Sequence, residues 1–576
     1  MTLEVARTDS RRLTGPNLLL AQSGAVIDVT FPDADGERLI VAWERRLREV
    51  LGLLRWPAPE LATWRHPGGA SLAFAAPPDV LYAATEVNEW AWDAAAAELG
   101  ASADAVEPTD VAALRLGALV AEERKPALTA LVSAARAHAV AWLADDMLMS
   151  VGTGTGSRTW PLEELPSPEV VPWDQLHDIP VVLVTGSNGK TTTTRLIAAM
   201  ASAAGRATGW SCTDGIWAAG GLVEAGDYAG PNGARRVLRD RRVDFAVLET
   251  ARGGILRRGL PVERARAAVI TNLAIDHFGE YGVHDLTSLG AAKLVVARAI
   301  GKDGRLVLNA EDAALAQAAH TVTAPVLWFA VDGTDRMVQA HLAAGGDAVV
   351  VVEGYIVLRR GWNTERVVRL ADVPSTHGGR LGHNVQNALA AVGAAWASGI
   401  PPEAIAAALK AFAGGAADNP GRANLFTLGG DVHAVVDFAH NPHGMAAIAD
   451  VARLFPGAPR TILLGQAGDR DDAAIRDLAR AAWALRPARV ILKDLLNYLR
   501  GREPGEVPRL MREELLRAGC PAEAIFDGGD DLSATRLALE LARPGDLLLL
   551  LIHEKQREVL EMMTELERIG SAPDRQ

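Results

Sequence analysis

Cysteine is almost missing from this chain: two residues, Cys212 and Cys520, in 576. Two thiols cannot build a disulfide framework, which points to a reducing compartment. Long hydrophobic runs are missing as well, and the apolar run 547–552 is far too short to span a bilayer. The N-terminus, MTLEVARTDSRR, is charged with no apolar segment after it, so no signal peptide is read. The expectation is a cytoplasmic protein with no membrane partner. Positive charge is in deficit: 58 Lys and Arg against 71 Asp and Glu leave a net charge of −13. Binding a phosphate backbone needs a cationic face, so nucleic acid is not an expected partner. ATP is not excluded, because a few local groups and Mg²⁺ suffice to hold it. No internal repeat is present. The remaining composition, 49% hydrophobic and 22% charged, is that of a globular chain, and 576 residues are too many for one core. Three domains are expected.

What the chain does have is Thr185-Gly186-Ser187-Asn188-Gly189-Lys190-Thr191-Thr192. An apolar run, 181–184, precedes it and reads as a buried strand. Leu196, Ile197, Met200 and Ala204 follow on one face of a helix. Strand, glycine turn, Lys-Thr pair and helix start make a phosphate cradle. Glycines let backbone N–H groups close on anionic oxygens, and the helix N-terminus adds positive potential. Lys190 supplies a point charge for the outer phosphates and Thr191 a hydroxyl for Mg²⁺. The general P-loop pattern asks for a glycine where Val184 stands, so the spacing here is a shorter form. The bland alternative is an ordinary glycine loop before a helix; the flanking strand and helix disfavour it.

The fold expected is α/β in three domains. Residues 1–172 form a separate N-terminal α+β domain for substrate binding or oligomerisation. Residues 173–415 form a central P-loop parallel-sheet ATPase domain, and 416–576 a smaller, Rossmann-like domain. Eight of the fourteen tryptophans, Trp43, Trp56, Trp64, Trp90, Trp92, Trp142, Trp160 and Trp173, lie in or at the edge of the first. They read as core before they read as a binding surface. Residues 152–156 and 161–172 read as a linker, and 414–421 as a hinge. In the central domain three strands are expected at 243–248, 267–270 and 305–308. Ligands in such sheets bind beyond the carboxyl ends of strands. Strands in the last domain are expected at 434–437, 460–464, 489–492 and 546–552.

Chemistry-bearing residues sit at those strand ends. Glu249 is acidic at the end of an apolar strand, a hard oxygen ligand for Mg²⁺ beside Thr191; a surface glutamate is the plain alternative. His277, after Asp276, follows another strand end and is a candidate ligand for a second Mg²⁺ bridging an acyl-acceptor carboxylate and the γ-phosphate. Lys293 lies in an apolar helical run, where burying a cation is costly. A carbamate on its nitrogen would make it an oxygen ligand; snorkelling to the surface is the alternative. In His383-Asn384-Val385-Gln386-Asn387 the asparagines offer the donor and acceptor of an adenine edge, or else a helix cap. Arg422, after the hinge, could reach a γ-phosphate. Asp437, in Asp437-Phe438-Ala439-His440-Asn441-Pro442, could bind ribose hydroxyls.

Taken together, the ordered set resembles the Mur ligase family, in detail the Mur-ligase half of cyanophycin synthetases. The set is Gly186-Ser187-Asn188-Gly189-Lys190-Thr191-Thr192, Asp276-His277, Lys293, Asn309-Ala310-Glu311-Asp312, His383-Asn384 with Asn387, Pro420-Gly421-Arg422 and Asp437 to Pro442. Glu249-Thr250-Ala251-Arg252-Gly253-Gly254-Ile255-Leu256-Arg257 and Gly465-Gln466-Ala467-Gly468-Asp469-Arg470-Asp471 carry the closer likeness. Leu13-Thr14-Gly15-Pro16-Asn17-Leu18 and the amphipathic stretch 84–95 faintly resemble the N-terminal domain of the same enzymes. The resemblance implies an ATP-dependent carboxylate–amine ligase working through an acyl phosphate. It implies nucleotide contacts from Gly186, Ser187, Asn188, Gly189, Lys190, Thr191, Thr192, Asn384, Asn387, Arg422, Asp437 and His440. Metal falls to Thr191, Glu249, His277 and carbamylated Lys293, with two Mg²⁺ ions. Lys190, Glu249, His277, Lys293 and Arg422 form the catalytic set. It implies small-molecule substrates, an acidic amino acid or peptide among them, and a homo-oligomer, dimer or tetramer.

Departures are visible. Cyanophycin synthetases also carry an ATP-grasp ligase, and here the N-terminal segment runs straight into the phosphate loop. One kind of ligation is therefore expected. Phe438 stands where the family has tyrosine, and Glu311 where it has aspartate. Two other classes stay open: a P-loop kinase or NTPase that forms no amide, and a non-catalytic ATP-binding partner of a separate ligase.

Overall fold

Five consecutive apolar or β-branched residues, Val181–Thr185, are all buried in the computed structural model, which describes residues 4–101, 105–275 and 278–570. A strand hidden on both faces needs parallel neighbours and helices above and below. It pairs in parallel with Phe245–Glu249 on one side and Ala265–Ile270 on the other, inside an 11-stranded sheet. The parallel strands run in the spatial order Thr208–Cys212, Phe245–Glu249, Val181–Thr185, Ala265–Ile270, Ile300–Asn309, Val326–Asp332 and Asp347–Val352. Antiparallel hairpins close both edges, Gly215–Ala218 with Gly221–Ala225 and Tyr355–Arg360 with Asn363–Arg369. Helices Lys190–Ala203, Gly382–Ala397 and Pro402–Ala411 cover one face, and Leu286–Leu294, Pro231–Arg239 and Arg252–Arg258 the other.

The C-terminal sheet has six strands, five of them parallel, with Asn424–Leu428 antiparallel at one edge. Its middle strand, Leu547–Leu551, is five buried leucines. At the carboxyl ends of these strands lies a charged knot. Lys493, ending Arg489–Lys493, is ion-paired with Asp531, and both side chains are fully buried. The second oxygen of Asp531 accepts N–H bonds from His553, Glu554 and Lys555, at 3.2, 2.7 and 2.9 Å. Burial pushes the Lys493 ammonium down, and the nearby charges of Glu554 and Asp530 oppose that.

The N-terminal region carries a four-stranded antiparallel sheet backed by helices Gly36–Leu53 and Leu81–Glu98. Trp43, Trp90 and Trp92 are 1, 5 and 2% exposed, so these three are core, as expected. The expected linker is built differently. Trp142–Ala144, Leu148–Val151 and Arg158–Pro161 form a small sheet, and Gly152, Thr153, Gly154, Gly156 and Ser157 are buried. Gly154, at φ +55°, presses on the central domain: a Cβ there would lie 2.3 Å from the Val243 carbonyl oxygen. These glycines serve close packing, not freedom. The expected hinge is also tied down: Asn419 is 2% exposed and donates to Thr192 Oγ1 at 3.0 Å.

Candidate active site

The phosphate loop is shaped by two glycines and locked by the next strand end. Gly186 has φ +144° and Gly189, before helix Lys190–Ala203, φ +82°. A Cβ on Gly186 would strike Thr271 Oγ1 at 1.9 Å, and one on Gly189 would strike Asn387 Oδ1 at 2.1 Å. Neither position tolerates a larger residue. The Ser187 N–H donates to the Asn272 carbonyl (3.0 Å) and the Asn188 N–H to Asn272 Oδ1 (3.0 Å). Thr271 Oγ1 donates to the Asn188 carbonyl at 2.6 Å. Ser187 Oγ donates to the Ala274 carbonyl, also at 3.0 Å. Lys190 Nζ curls over the loop onto the Ser187 carbonyl at 3.0 Å.

Glu249 is the last residue of its strand, which runs one residue further than expected, and it is 1% exposed. Thr191 Oγ1 donates to its Oε2 at 2.9 Å and Thr213 Oγ1 to its Oε1 at 3.0 Å. Burial pushes its carboxyl up; the Lys190 charge and the Thr191 hydrogen bond pull it back. Lys293 is 4% exposed and donates to the Gly186 carbonyl at 2.9 Å, so snorkelling is ruled out. The nitrogen of a carbamate keeps an N–H, which suits that bond. His277 lies outside the described residues. Among the described residues no group of three or more His, Cys, Asp or Glu is gathered for a metal. The donors present are the Thr191 hydroxyl and the Glu249 carboxylate. That hard-oxygen pair fits Mg²⁺, which completes its shell with water and substrate phosphates.

Asn387 is 7% exposed and lies inside helix Gly382–Ala397, whose N-cap is Leu381 with no side-chain cap. The capping alternative therefore fails, and Asn387 faces Gly189 instead. Asn384 Nδ2 donates to the Ser375 carbonyl at 2.8 Å. Arg422 donates to the Gly421 carbonyl at 3.0 Å and lies 3.5 Å from Asp214, with its guanidinium 4.7 Å over the Phe438 ring. Asp437 spends both oxygens on backbone, accepting from Ala423 N and Ala439 N at 2.7 Å each. Burial raises its pKa, against the pull of Arg422. His440 Nδ1 lies 3.1 Å from the Phe438 carbonyl.

Several neighbours escaped the sequence reading. Asp214 sits between Arg195 (3.1 Å) and Arg422. Asn441 donates to Asn188 Oδ1 at 3.2 Å, and His443 Nδ1 meets Asn188 Nδ2 at 3.0 Å. Thr213 and Asp214 follow strand Thr208–Cys212, so the strand-end rule would have found them.

His383 opens the Asn387 helix with its Nδ1 buried and lacking a hydrogen bond. Burial pushes its pKa down to about 4. Between pH 6.5 and 4 the unfolded chain therefore holds a proton that the folded chain refuses. The stability this group contributes is complete above that window and lost as pH falls through it. Denaturant unfolding of wild type and His383→Gln should show wild type losing roughly 2 kcal/mol more between pH 7 and 4.5. Parallel losses would refute the assignment.

A parallel sheet with a Lys-Thr loop at one strand end, and a buried glutamate at the next, defines a nucleotide-dependent class. Residues 184–395 match the Mur ligase middle domain and 421–551 the Mur ligase glutamate ligase domain; the chain belongs to the Mur ligase family. It is 36% identical over 390 residues to a cyanophycin synthetase of Nostoc sp., across 67% of this chain and 43% of that protein. It is 30% identical to a UDP-N-acetylmuramoyl-L-alanyl-D-glutamate–2,6-diaminopimelate ligase of Gloeobacter violaceus, across 54% of this chain and 60% of that one. The chain thus spans less than half the length of the cyanophycin synthetases it matches. Among solved structures, E. coli FolC in complex with DHPP and ADP aligns with TM-score 0.47 and 19% identity, over 67% of this chain and 89% of that one. No described helix is long and apolar enough to cross a membrane.

Proposed function

We propose that this protein is an ATP-dependent carboxylate–amine ligase, ADP-forming, acting on an amino acid or acidic peptide related to cyanophycin chemistry. The observation that carries the reading is the convergence of Lys190, the Thr191–Glu249 pair and Lys293 on one glycine loop at adjoining strand ends. The family and the cyanophycin synthetase relatives support it. The domain division at 172 and 415 is part of the same proposal.

The loop N–H groups and Lys190 hold the triphosphate, and Asn387 with Asn384 meets the adenine. Asp437, with the lone pairs its two backbone bonds leave over, and His440 would take the ribose hydroxyls, and Arg422 the γ-phosphate. Mg²⁺ on Thr191 and Glu249, with a second ion on His277 and carbamylated Lys293, would neutralise charge on the phosphates. The substrate carboxylate oxygen attacks the γ-phosphorus, the bond to the β-phosphate oxygen breaks, and ADP leaves. The amine then attacks the acyl carbon and phosphate departs. The chain's share is placement and charge compensation.

A screen of ADP release across amino acids and short acidic peptides, crossed with amines and read by mass spectrometry, tests this. The expected result is ADP formed only when carboxylate and amine are both present, with a product heavier by the amine minus water. ADP release indifferent to amine would mean a kinase or NTPase, and no release with any pair a binding partner.

A further inference from the structure

Two elements leave the candidate site and run to the N-terminal sheet. Helix Arg252–Arg258 begins shortly after Glu249. Segment 278–285 follows Asp276-His277 and leads, through an Asp285–Ser288 capping box, into helix Leu286–Leu294, which carries Lys293. The two are joined by an Arg252–Glu280 ion pair.

The N-terminal sheet holds both by their backbone. Arg11, 8% exposed and paired with Asp28, donates through Nε to the Leu256 carbonyl at 3.0 Å. Its guanidinium lies 4.6 Å over the Tyr281 ring, and Arg257 bonds the Tyr281 hydroxyl at 2.7 Å. Thr14 N–H donates to the Arg258 carbonyl and Leu260 N–H to the Pro16 carbonyl, both at 2.7 Å. Trp64 donates from Nε1 to the Gly282 carbonyl at 3.3 Å, and the His66 and His284 rings lie 5.0 Å apart. Gly282 sits at φ +73°, where a Cβ would come within 2.8 Å of the His66 ring and 3.1 Å of the Trp64 ring. The sheet has its own core around Trp43, Phe74 and Trp92. Trp64 and Arg11 face outward from it onto main-chain groups of the central domain.

We infer that the N-terminal sheet is a positioning element of the ligase site. Trp64 and Arg11 are its positioning residues, setting segment 278–285 and the end of helix Arg252–Arg258. The inference rests on the ligase reading above. Neither residue touches substrate. Each fixes the backbone next to the elements that carry Glu249 and Lys293, and a misplacement near 1 Å at such groups costs about a hundredfold in rate.

The test uses the full chain with Trp64→Phe, which keeps the ring and removes the N–H donor, and with Trp64→Ala. Arg38→Ala, on an exposed helix face of the same domain, is the control. Hydrogen exchange of peptides covering 278–294 should rise about tenfold in Trp64→Ala and less in Trp64→Phe. Steady-state ADP release should show kcat lowered about tenfold or more with the KM for ATP unchanged. Should Trp64→Ala lower the Tm, Trp64→Phe decides. Unchanged exchange in both Trp64 variants overturns the docking, and exchange needs no substrate. Raised exchange with unchanged kcat overturns the positioning role. A wild-type chain that releases no ADP with any substrate pair defeats the ligase reading and the positioning claim with it, while exchange still judges the docking.

Discussion

Lys190→Ala should reduce ADP release by a factor on the order of 10²–10³ while leaving the fold intact. The size is that of removing one aligned charge from a site whose groups act on developing negative charge. The lysine is half-buried at the loop and among the described residues bonds to the Ser187 carbonyl alone, so the fold gives up little when it goes. Its charge is also the first of the influences that offset the burial of Glu249. Removing it raises the Glu249 carboxyl further, and a protonated carboxyl is a poor metal ligand. Glu249→Gln should therefore produce a loss of the same order by the metal route alone. The measurement is ADP release with saturating substrates, beside a melting curve for each variant. Turnover of Lys190→Ala within a few-fold of wild type would remove the loop from the mechanism.

Asp531→Ala should destabilise the C-terminal domain by about 3–5 kcal/mol, because it strands a buried ammonium. Asp531 also receives three backbone N–H groups of 553–555, at the entry to helix Gln556–Gly570, and these lose their acceptor. The pair is not needed for hydrophobic reasons. Replacing both charges together, Lys493→Met with Asp531→Leu, should recover part of the loss, since no unpaired charge remains. The recovery stays incomplete because the 553–555 amides still lack their partner. Denaturant titrations of the two variants decide it. A double variant no better than Asp531→Ala would show that the amide contacts, not the charge pair, hold the knot.

The fold was legible where one chemical requirement dominates. Val181–Thr185 is apolar throughout, and only a strand buried on both faces explains such a run before a glycine turn. The leucine strand of the last domain was readable for the same reason. Glu249 and Lys293 stood out because charge at an apolar strand end or within an apolar helix needs a cause. Illegible residues were those whose role depends on a distant partner. The end of strand Thr208–Cys212 places Asp214 at the site, but its role comes from Arg195 and Arg422 converging on it, and nothing at 214 announces them. Asn387 looks like a cap residue until the helix start is known to be Gly382. The glycines at 152–156 carry the same composition as a flexible linker. What makes them rigid is the wall at Val243 and His177, far away in sequence or hidden by folding.

Asn188 answers to both halves of the molecule: to Asn272 within its own sheet, and to Asn441 and His443 across the gap. A ligand that displaced the Asn441 and His443 contacts would weaken the hold of the C-terminal residues on the loop, and any change that loosened that hold would in turn alter the ligand's affinity by the same factor.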